Sequence, residues 1–457
     1  MKNPLSQYIE LYEAEGSLID AGGAPALNAW RDRAAEALRA VKLPAKGSEN
    51  YEQTDLPVLL APDYGLNLGR RSLDINPAET FSCRVPNLST ALFFLRGDSF
   101  GATANSCNQL PDGITVCSLR HAALTQPELV ERYYGRLAPL DNPLVALNTM
   151  LAQDGLFIHV AAGVKVEKPL QLVAILGDKI PMMAVRRLLI VLEPGAEACL
   201  LCCDHTQGEQ TPCLNLQTTE IFCGHDSRFD IYELEESSRL TTRLGSLYAS
   251  LDERANLLVD GITLFNGVTR NETYVTLRGR GAELRLLGMG IEDEDRRLDN
   301  YTLIRHETGG CTSHELFKYV VDDRSVGAFT GRIYVAPDAQ KTEAYQANRN
   351  LVASPDARMF SKPQLEIYAD DVKCSHGTAI GQLDPMQIFY MRTRGLSEST
   401  AKTLLRQAFM ADVIEPVRLG VLRDRLRHLV DMRLAGDSPA SDCAACASLN
   451  CDDYAEA

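Results

Sequence analysis

The chain of 457 residues carries 46 Lys and Arg against 61 Asp and Glu, a formal net charge of −15. That acidic balance excludes a nonspecific nucleic-acid binder, which needs a basic footprint, and at 45% apolar residues the composition is globular rather than that of a polar disordered segment. No apolar run approaches the roughly 18–20 residues of a membrane-spanning helix; the longest compact one, Leu188 to Leu192, is far shorter, so membrane insertion is not expected.

The N-terminal residues MKNPLSQYIELYEAEG contain no apolar signal-type core, which predicts a cytoplasmic location and reduced thiols. The first 45 residues read as helix: Leu27, Trp30, Ala34, Leu38 and Val41 recur at three- and four-residue steps, between Gly22-Gly23 and Pro44. Residues 46–145 are mixed, with a strand expected at Ala91 to Leu95 and a helix near 127–137, and complete an N-terminal helical and mixed domain, 1–145.

From about residue 150 the pattern changes. Short apolar or alternating runs follow one another: Leu156 to Val160, Leu170 to Ile175, Leu188 to Leu192, Ala198 to Cys202, Leu214 to Phe222, Arg228 to Leu234, Leu257 to Phe265, Tyr274 to Leu277, Leu284 to Leu287, Tyr301 to Ile304, Leu316 to Val321 and Gly331 to Val335. Gly, Asp, Asn and Pro separate them, as strand punctuation should. No long segment of period 3.6 intervenes, which excludes a sheet built from βαβ crossovers. A sandwich, a barrel or a β-solenoid remains, and stacked coils accommodate this many strands most simply. This core is placed at 146–384.

Beyond it the chain turns helical over 385–436. Asp384 is a predicted N-cap with Pro385 at the first helical position, Gly395 a predicted helix stop, and Ser397 a second N-cap. A third helix is expected from Pro416, with Leu422, Leu426, Leu429 and Val430 on one face and Arg418, Arg423, Arg425, Arg427 and Arg433 on the other. That arginine face is either solvated or a docking surface for an acidic partner. The last 21 residues, 437–457, are small, polar and acidic, which predicts a flexible tail.

The chain has no GxxxxGK[ST] phosphate loop, no GxSxG elbow and no HExxH, since His314-Glu315 is followed by Leu-Phe-Lys. An autonomous NTPase, hydrolase or metalloprotease is therefore not indicated. Three cysteine groups carry the remaining chemistry. Cys199, Cys202, Cys203, Cys213 and Cys223 lie in apolar strands and read as core. Cys443, Cys446 and Cys451 could chelate zinc or a labile cluster, or be an oxidisable tail without a fourth ligand. The densest polar cluster is Asp370-Asp371-Val372-Lys373-Cys374-Ser375-His376-Gly377. On a strand, Cys374 and His376 face the same side, and together they suit iron or zinc. Lys373 and His376 would lower the thiol pKa. Two ligands do not close a site, and a polar turn with a buried, satisfied Cys is the alternative.

The segment Pro363 to Leu396, with its DDVKCSHG run at 370–377, closely resembles the SufB/SufD family of iron–sulfur cluster scaffold proteins. GAFTGRIYVAPDAQKTEAYQANRNLVAS at 327–354 and LNTMLAQDGLFIHVAAGVKVEKPLQL at 147–172 resemble the same family, and YEQTDL at 51–56 does so faintly. SufB-type chains carry a cysteine after the AQKT-like motif. Residues 342–373 contain none, so the resemblance is to the SufD type.

The resemblance implies a mainly β fold, a right-handed parallel β-helix flanked by N- and C-terminal helical domains. It implies pairing with a SufB-like subunit through the β-helix, and docking of the C-terminal helices onto a SufC-like ABC-type ATPase, with Phe389, Tyr390, Arg392, Phe409, Arg418 and Arg425 as docking candidates. An isolated chain would pair with itself as a homodimer. ATP would be hydrolysed in the partner and not bound here, so the chain is expected to be a scaffold subunit rather than an enzyme. His376 would be a ligand of a transient iron–sulfur cluster shared with SufB, with Cys374 beside it; no flavin role is assigned. The alternatives are a purely structural partner of the ATPase and a β-helix enzyme acting on acidic polysaccharide.

Overall fold

The succession of short strands without crossover helices resolves into two long sheets facing each other across a shared interior. The computed structural model describes residues 4–71, 73, 75, 90–102, 110–177, 180–208 and 210–436. One sheet runs Arg358–Ile367, Val326–Val335, Arg297–His306, Val268–Leu277, Thr241–Leu251, Cys213–Cys223, Met182–Leu192, Asp154–Val160 and Ile114–Ser118. The other runs Lys373–Gly381, Glu343–Val352, Thr312–Val321, Glu283–Glu292, Asn256–Phe265, Arg228–Glu236, Glu197–Thr206, Leu170–Leu176, Ala91–Arg96 and Ser99–Ala102. From Asp154–Val160 onward each strand pairs in parallel with the next but one. The chain thus winds a parallel β-solenoid of about eight turns, with helices at both termini, as expected.

In-register stacking sorts side chains into columns. Ala91, Leu170, Leu200, Ile231, Val259 and Leu286 form one aliphatic column through the interior. Full burial of each Leu, Ile or Val contributes roughly 1.5–3 kcal/mol. Corners repeat a simpler device. A small buried residue precedes successive strands of the second sheet at Ala196, Ser227, Ala255, Ala282, Cys311 and Thr342. This is the sequence repeat that strand alternation alone does not reveal.

Strands 343–352, 358–367 and 373–381 extend the solenoid beyond the runs picked out by hydrophobicity. Their inward positions carry the polar residues Gln346, Asn348, Asn350 and His376, of which Gln346 and His376 continue a column that is aliphatic in earlier coils, so alternation does not mark them.

The N-terminal segment is not one continuous helical stripe. Helices span Leu5–Gly22, Pro25–Asn28 and Arg31–Ala40. Gly23 and Pro25 interrupt the first register, and Trp30 leaves the second to meet Tyr134 edge-on, with ring centroids 6.5 Å apart. Arg31 is fully buried and donates to the Met150 carbonyl at 2.8 Å, tying this layer to helix Pro143–Leu151.

At the other terminus Asp384 caps Pro385–Thr393 by accepting from Met386 N–H, and Ser397 caps Glu398–Ile414 by accepting from Thr400 N–H, as predicted. The third helix begins at Gly420 and runs to Ala435, four residues later than Pro416, because 416–419 is spent turning the chain back. The last two helices bury Met410, Val413, Leu422, Leu426 and Val430 on the outer face of the second sheet, against Leu201, Leu234, Leu258 and Leu287.

Candidate functional site

The two ends of the solenoid are finished differently. At its start, Ile114–Ser118 and Ser99–Ala102 pair antiparallel onto the first coil and stop further parallel pairing. At its finish, Arg358–Ile367 and Lys373–Gly381 are the last strands of their sheets among the described residues. Their outer backbone groups face outward, and Phe360, Ile367, Tyr368 and Ile380 are exposed beside them. Such an edge is a template for another strand.

His376 lies in this last coil, exposed, on the inward-facing side of strand Lys373–Gly381. Two residues before it, Cys374 is half-buried against the end of the interior core. The same-face expectation for the pair therefore holds. The expected activation of the thiol does not. Burial pushes the Cys374 thiol up, partly opposed by a backbone hydrogen bond from Ala344. Lys373 turns away to Glu343, with Nζ donating to Oε1 at 2.8 Å, and so does not stabilise a thiolate.

His376 continues the aliphatic column. Leu286 stacks on Glu315, Glu315 on Gln346, and Gln346 on His376. Glu315 and Gln346 are 3% exposed. Thr302 Oγ1 donates to Glu315 Oε1 at 2.5 Å, and Gln346 Nε2 donates to Glu315 Oε2 at 2.6 Å. Burial pushes the Glu315 carboxyl up to about 7 against the pull of these two hydrogen bonds. Sequence reading passed over both residues: Glu315 was weighed only as part of an HExxH motif, and Gln346 looks like an ordinary strand residue.

Among the described residues no three His, Cys, Asp or Glu side chains converge to hold a metal ion. His376 and Cys374 are thus two candidate ligand side chains on one face, without a third beside them among the described residues. The core cysteines are placed as expected: Cys202, Cys203, Cys213 and Cys223 are buried, and burial raises the thiol pKa of Cys199, Cys202 and Cys223. Buried apolar thiols of this kind are inert. Cys443, Cys446 and Cys451 lie outside the described residues.

The docking candidates separate into two groups. Phe389 and Tyr390 are each 60% exposed on helix Pro385–Thr393, which buries none of its residues. Arg392 faces Glu398 at 3.4 Å at the rim of a groove of about 530 Å³ that also takes in Leu351, Phe389, Lys402 and Arg406. The arginine face of the last helix is corrected. Arg418 pairs with Asp230 at 2.6 Å and donates to Asn256 Oδ1 at 3.0 Å. Arg425 is 8% exposed, and Arg433 donates to the carbonyls of Leu264 and Ile291 and to Asp293. Arg418 and Arg433 clamp this segment to the solenoid because the sheet beneath offers carboxylates, whereas Arg427 stays at the surface, paired with Glu415 and Asp424. Phe409 is half-buried on the same cover, with Lys318 Nζ 4.6 Å from its ring centre.

No helix among the described residues is long and apolar enough to cross a membrane. The fold is a parallel β-solenoid with helical termini, and His376 and Cys374 lie on its last described coil. Residues 175–409 match the family model described as SUF system FeS cluster assembly, SufBD core domain, and residues 2–172 match the SufBD protein N-terminal region. The chain is 30% identical over 413 residues to an iron–sulfur cluster assembly SufBD family protein of Synechocystis, covering 88% of this chain and 90% of the relative. It is 28% identical over 448 residues to the iron–sulfur cluster assembly protein SufD of Escherichia coli, covering 95% and 97%. Against SufD of Bacillus subtilis it is 23% identical over 350 residues, covering 75% and 79%. The chain belongs to the SufB/SufD family of iron–sulfur cluster assembly proteins.

Proposed function

We propose that this chain is the SufD-type scaffold subunit of a cytoplasmic cluster-assembly complex, and that its open solenoid end pairs with the corresponding end of a SufB-like subunit. The observation that carries the reading is the position of His376, on a last coil whose strand edges and exposed apolar side chains have no partner among the described residues. Pairing would extend both sheets across the junction by strand addition. It would also bring a second set of ligands to His376, with Cys374 beside it, completing a site for a nascent iron–sulfur cluster that is cargo rather than a resident group.

The exposed Phe389 and Tyr390, with Arg392 at the groove, are proposed to dock a SufC-like ATPase. ATP would be bound and hydrolysed there, and this chain would transmit movement through helix Pro385–Thr393, which its own fold leaves uncovered. The domain limits that follow are 1–145, 146–384 and 385–436. The test is a His376→Ala chain co-expressed with SufB- and SufC-like partners. The complex should still assemble, while iron and sulfide incorporation on reconstitution falls at least about tenfold, the loss of a ligand worth about 1.4 kcal/mol or more. Assembly with normal incorporation would sink the ligand role and leave a purely structural subunit.

A further inference from the structure

The interior column that ends at His376 changes character in its last three coils. Leu170, Leu200, Ile231, Val259 and Leu286 show that aliphatic side chains fill this column without difficulty. Glu315 and Gln346 then replace them at positions equally withdrawn from water. Burying a carboxyl and an amide there costs free energy unless every polar atom is bonded. Three of the four are: Thr302 and Gln346 satisfy both oxygens of Glu315, and the latter uses the Gln346 nitrogen. The fourth, Gln346 Oε1, is buried without a hydrogen-bond partner.

The direction of that orphaned oxygen follows from the bonds around it. The amide nitrogen is taken by Glu315, the neighbour one coil inward. The remaining neighbour in the column is His376, one coil outward. Adjacent strands are about 4.8 Å apart, within reach of a side chain turned toward its register partner. Opposite, Gly331 leaves room for the amide: a Cβ there would stand 2.3 Å from Gln346 Nε2. The amide is thus gripped through its nitrogen, while its buried oxygen is unbonded and its next register partner is the only imidazole in the column.

We infer that Gln346 is a positioning residue for His376: when the exposed imidazole turns toward its register partner, Oε1 accepts one imidazole N–H and the other ring nitrogen is left unprotonated and facing the solenoid end. This rests on the ligand reading of His376 above. A neutral imidazole has one N–H, and the bond it makes decides which nitrogen can bind a metal. An amide oxygen suits the task because it accepts without bringing charge to the ring, and metal binding requires the neutral form. Glu315, held by Thr302, orients the amide from behind, and Gln346 separates its carboxyl from the imidazole.

The experiment uses the full chain with ¹⁵N placed in its 8 histidines, read by two-bond ¹H–¹⁵N correlation spectra, with His376→Ala assigning the signal. Wild-type His376 should favour one tautomer about tenfold over the ratio of free imidazole, the effect of a hydrogen bond of about 1.4 kcal/mol. Gln346→Leu should return the ratio to that of free imidazole. The double variant Glu315→Leu/Gln346→Leu, which extends the aliphatic column, should do the same if the single variant folds poorly. A wild-type ratio equal to that of free imidazole, or a ratio unchanged in the variants, overturns the inference. A His376→Ala complex that assembles clusters normally overturns the ligand reading instead and leaves the tautomer measurement standing, so the two failures are distinguishable.

Discussion

The solenoid begins and ends by opposite solutions to one problem. Stacked coils leave unpaired strand edges at each end, and such edges invite association. At the start the chain closes its own edge: antiparallel strands Ser99–Ala102 and Ile114–Ser118 meet the first coil, and helices Leu119–Thr125 and Pro143–Leu151 pack beside it. At the finish nothing in the described chain covers Arg358–Ile367 or Lys373–Gly381. The interior differs in the same sense, aliphatic along the column to Leu286 and polar from Glu315 outward. One end is covered by the chain's own strands and helices; the other is uncovered among the described residues, and it is there that partner and chemistry are proposed.

The sharpest way to break this comparison is to exchange the two characters within a single column. Leu286→Glu places a carboxylate where none is provided for and should cost about 3–5 kcal/mol or prevent folding. The double variant Glu315→Leu/Gln346→Leu, one and two coils outward, should change stability by no more than about 1 kcal/mol, since replacing both partners of a buried hydrogen bond by apolar groups is nearly neutral. Urea unfolding of both variants measures the difference, and equal costs would remove the distinction between the two stretches.

Next in size is the clamp of the C-terminal cover. Arg433→Ala leaves the carbonyls of Leu264 and Ile291 without this donor and Asp293 with Arg296 alone, and should destabilise by about 2 kcal/mol. The loss should appear as early exchange of amides in Gly420–Ala435, ahead of the solenoid.

Smaller in free energy is a charge at the open edge. Ile380→Lys should weaken binding of a SufB-like partner about tenfold while changing the chain's own stability by less than ~0.5 kcal/mol. A stability loss with unchanged binding would mean that Ile380 packs within the chain and that this edge is not the partner interface.

A pH series refines the contrast between carboxyls. Glu292 has neither oxygen bonded, and burial, then the nearby Glu235, pushes it up to about 8; Glu315, with both oxygens bonded, rises only to about 7. Both raised values mean that the folded chain holds a proton which the unfolded chain has released. The associated stability is full below about pH 4.5 and is lost as pH rises, up to about 8 for Glu292 and about 7 for Glu315. Glu292→Gln should flatten the dependence by about 1.4 kcal/mol per pH unit between those limits. Denaturation midpoints at pH 5, 6, 7 and 8 check the slope and its sign.

Much of this was legible in the order of residues. The helix starts at Asp384 and Ser397 were, because a cap is a local hydrogen bond. So was the burial of Cys202, Cys203, Cys213 and Cys223, because they sit in apolar runs. DDVKCSHG marked His376 before any coordinate was known. The strands Glu343–Val352 and Lys373–Gly381 were not seen as alternating runs, since Gln346, Asn348 and His376 occupy inward positions there. The arginines of the last helix read as an outward face, since nothing local indicates that Asp230 and Asp293 wait beneath them.

Sequence alone narrowed the core to a sandwich, barrel or solenoid between helical ends, its family resemblance pointed to the solenoid, and the DDVKCSHG motif made His376 a candidate, because periodicity, caps and motifs act over a few residues. Tertiary structure alone decided that Leu286, Glu315, Gln346 and His376 form one column, that Arg418 and Arg433 are anchors, and that one end of the solenoid is uncovered among the described residues. Those facts depend on register between coils and on contacts between residues more than a hundred positions apart. Coulombic and packing forces act on distance in space, and separation along the chain does not encode it.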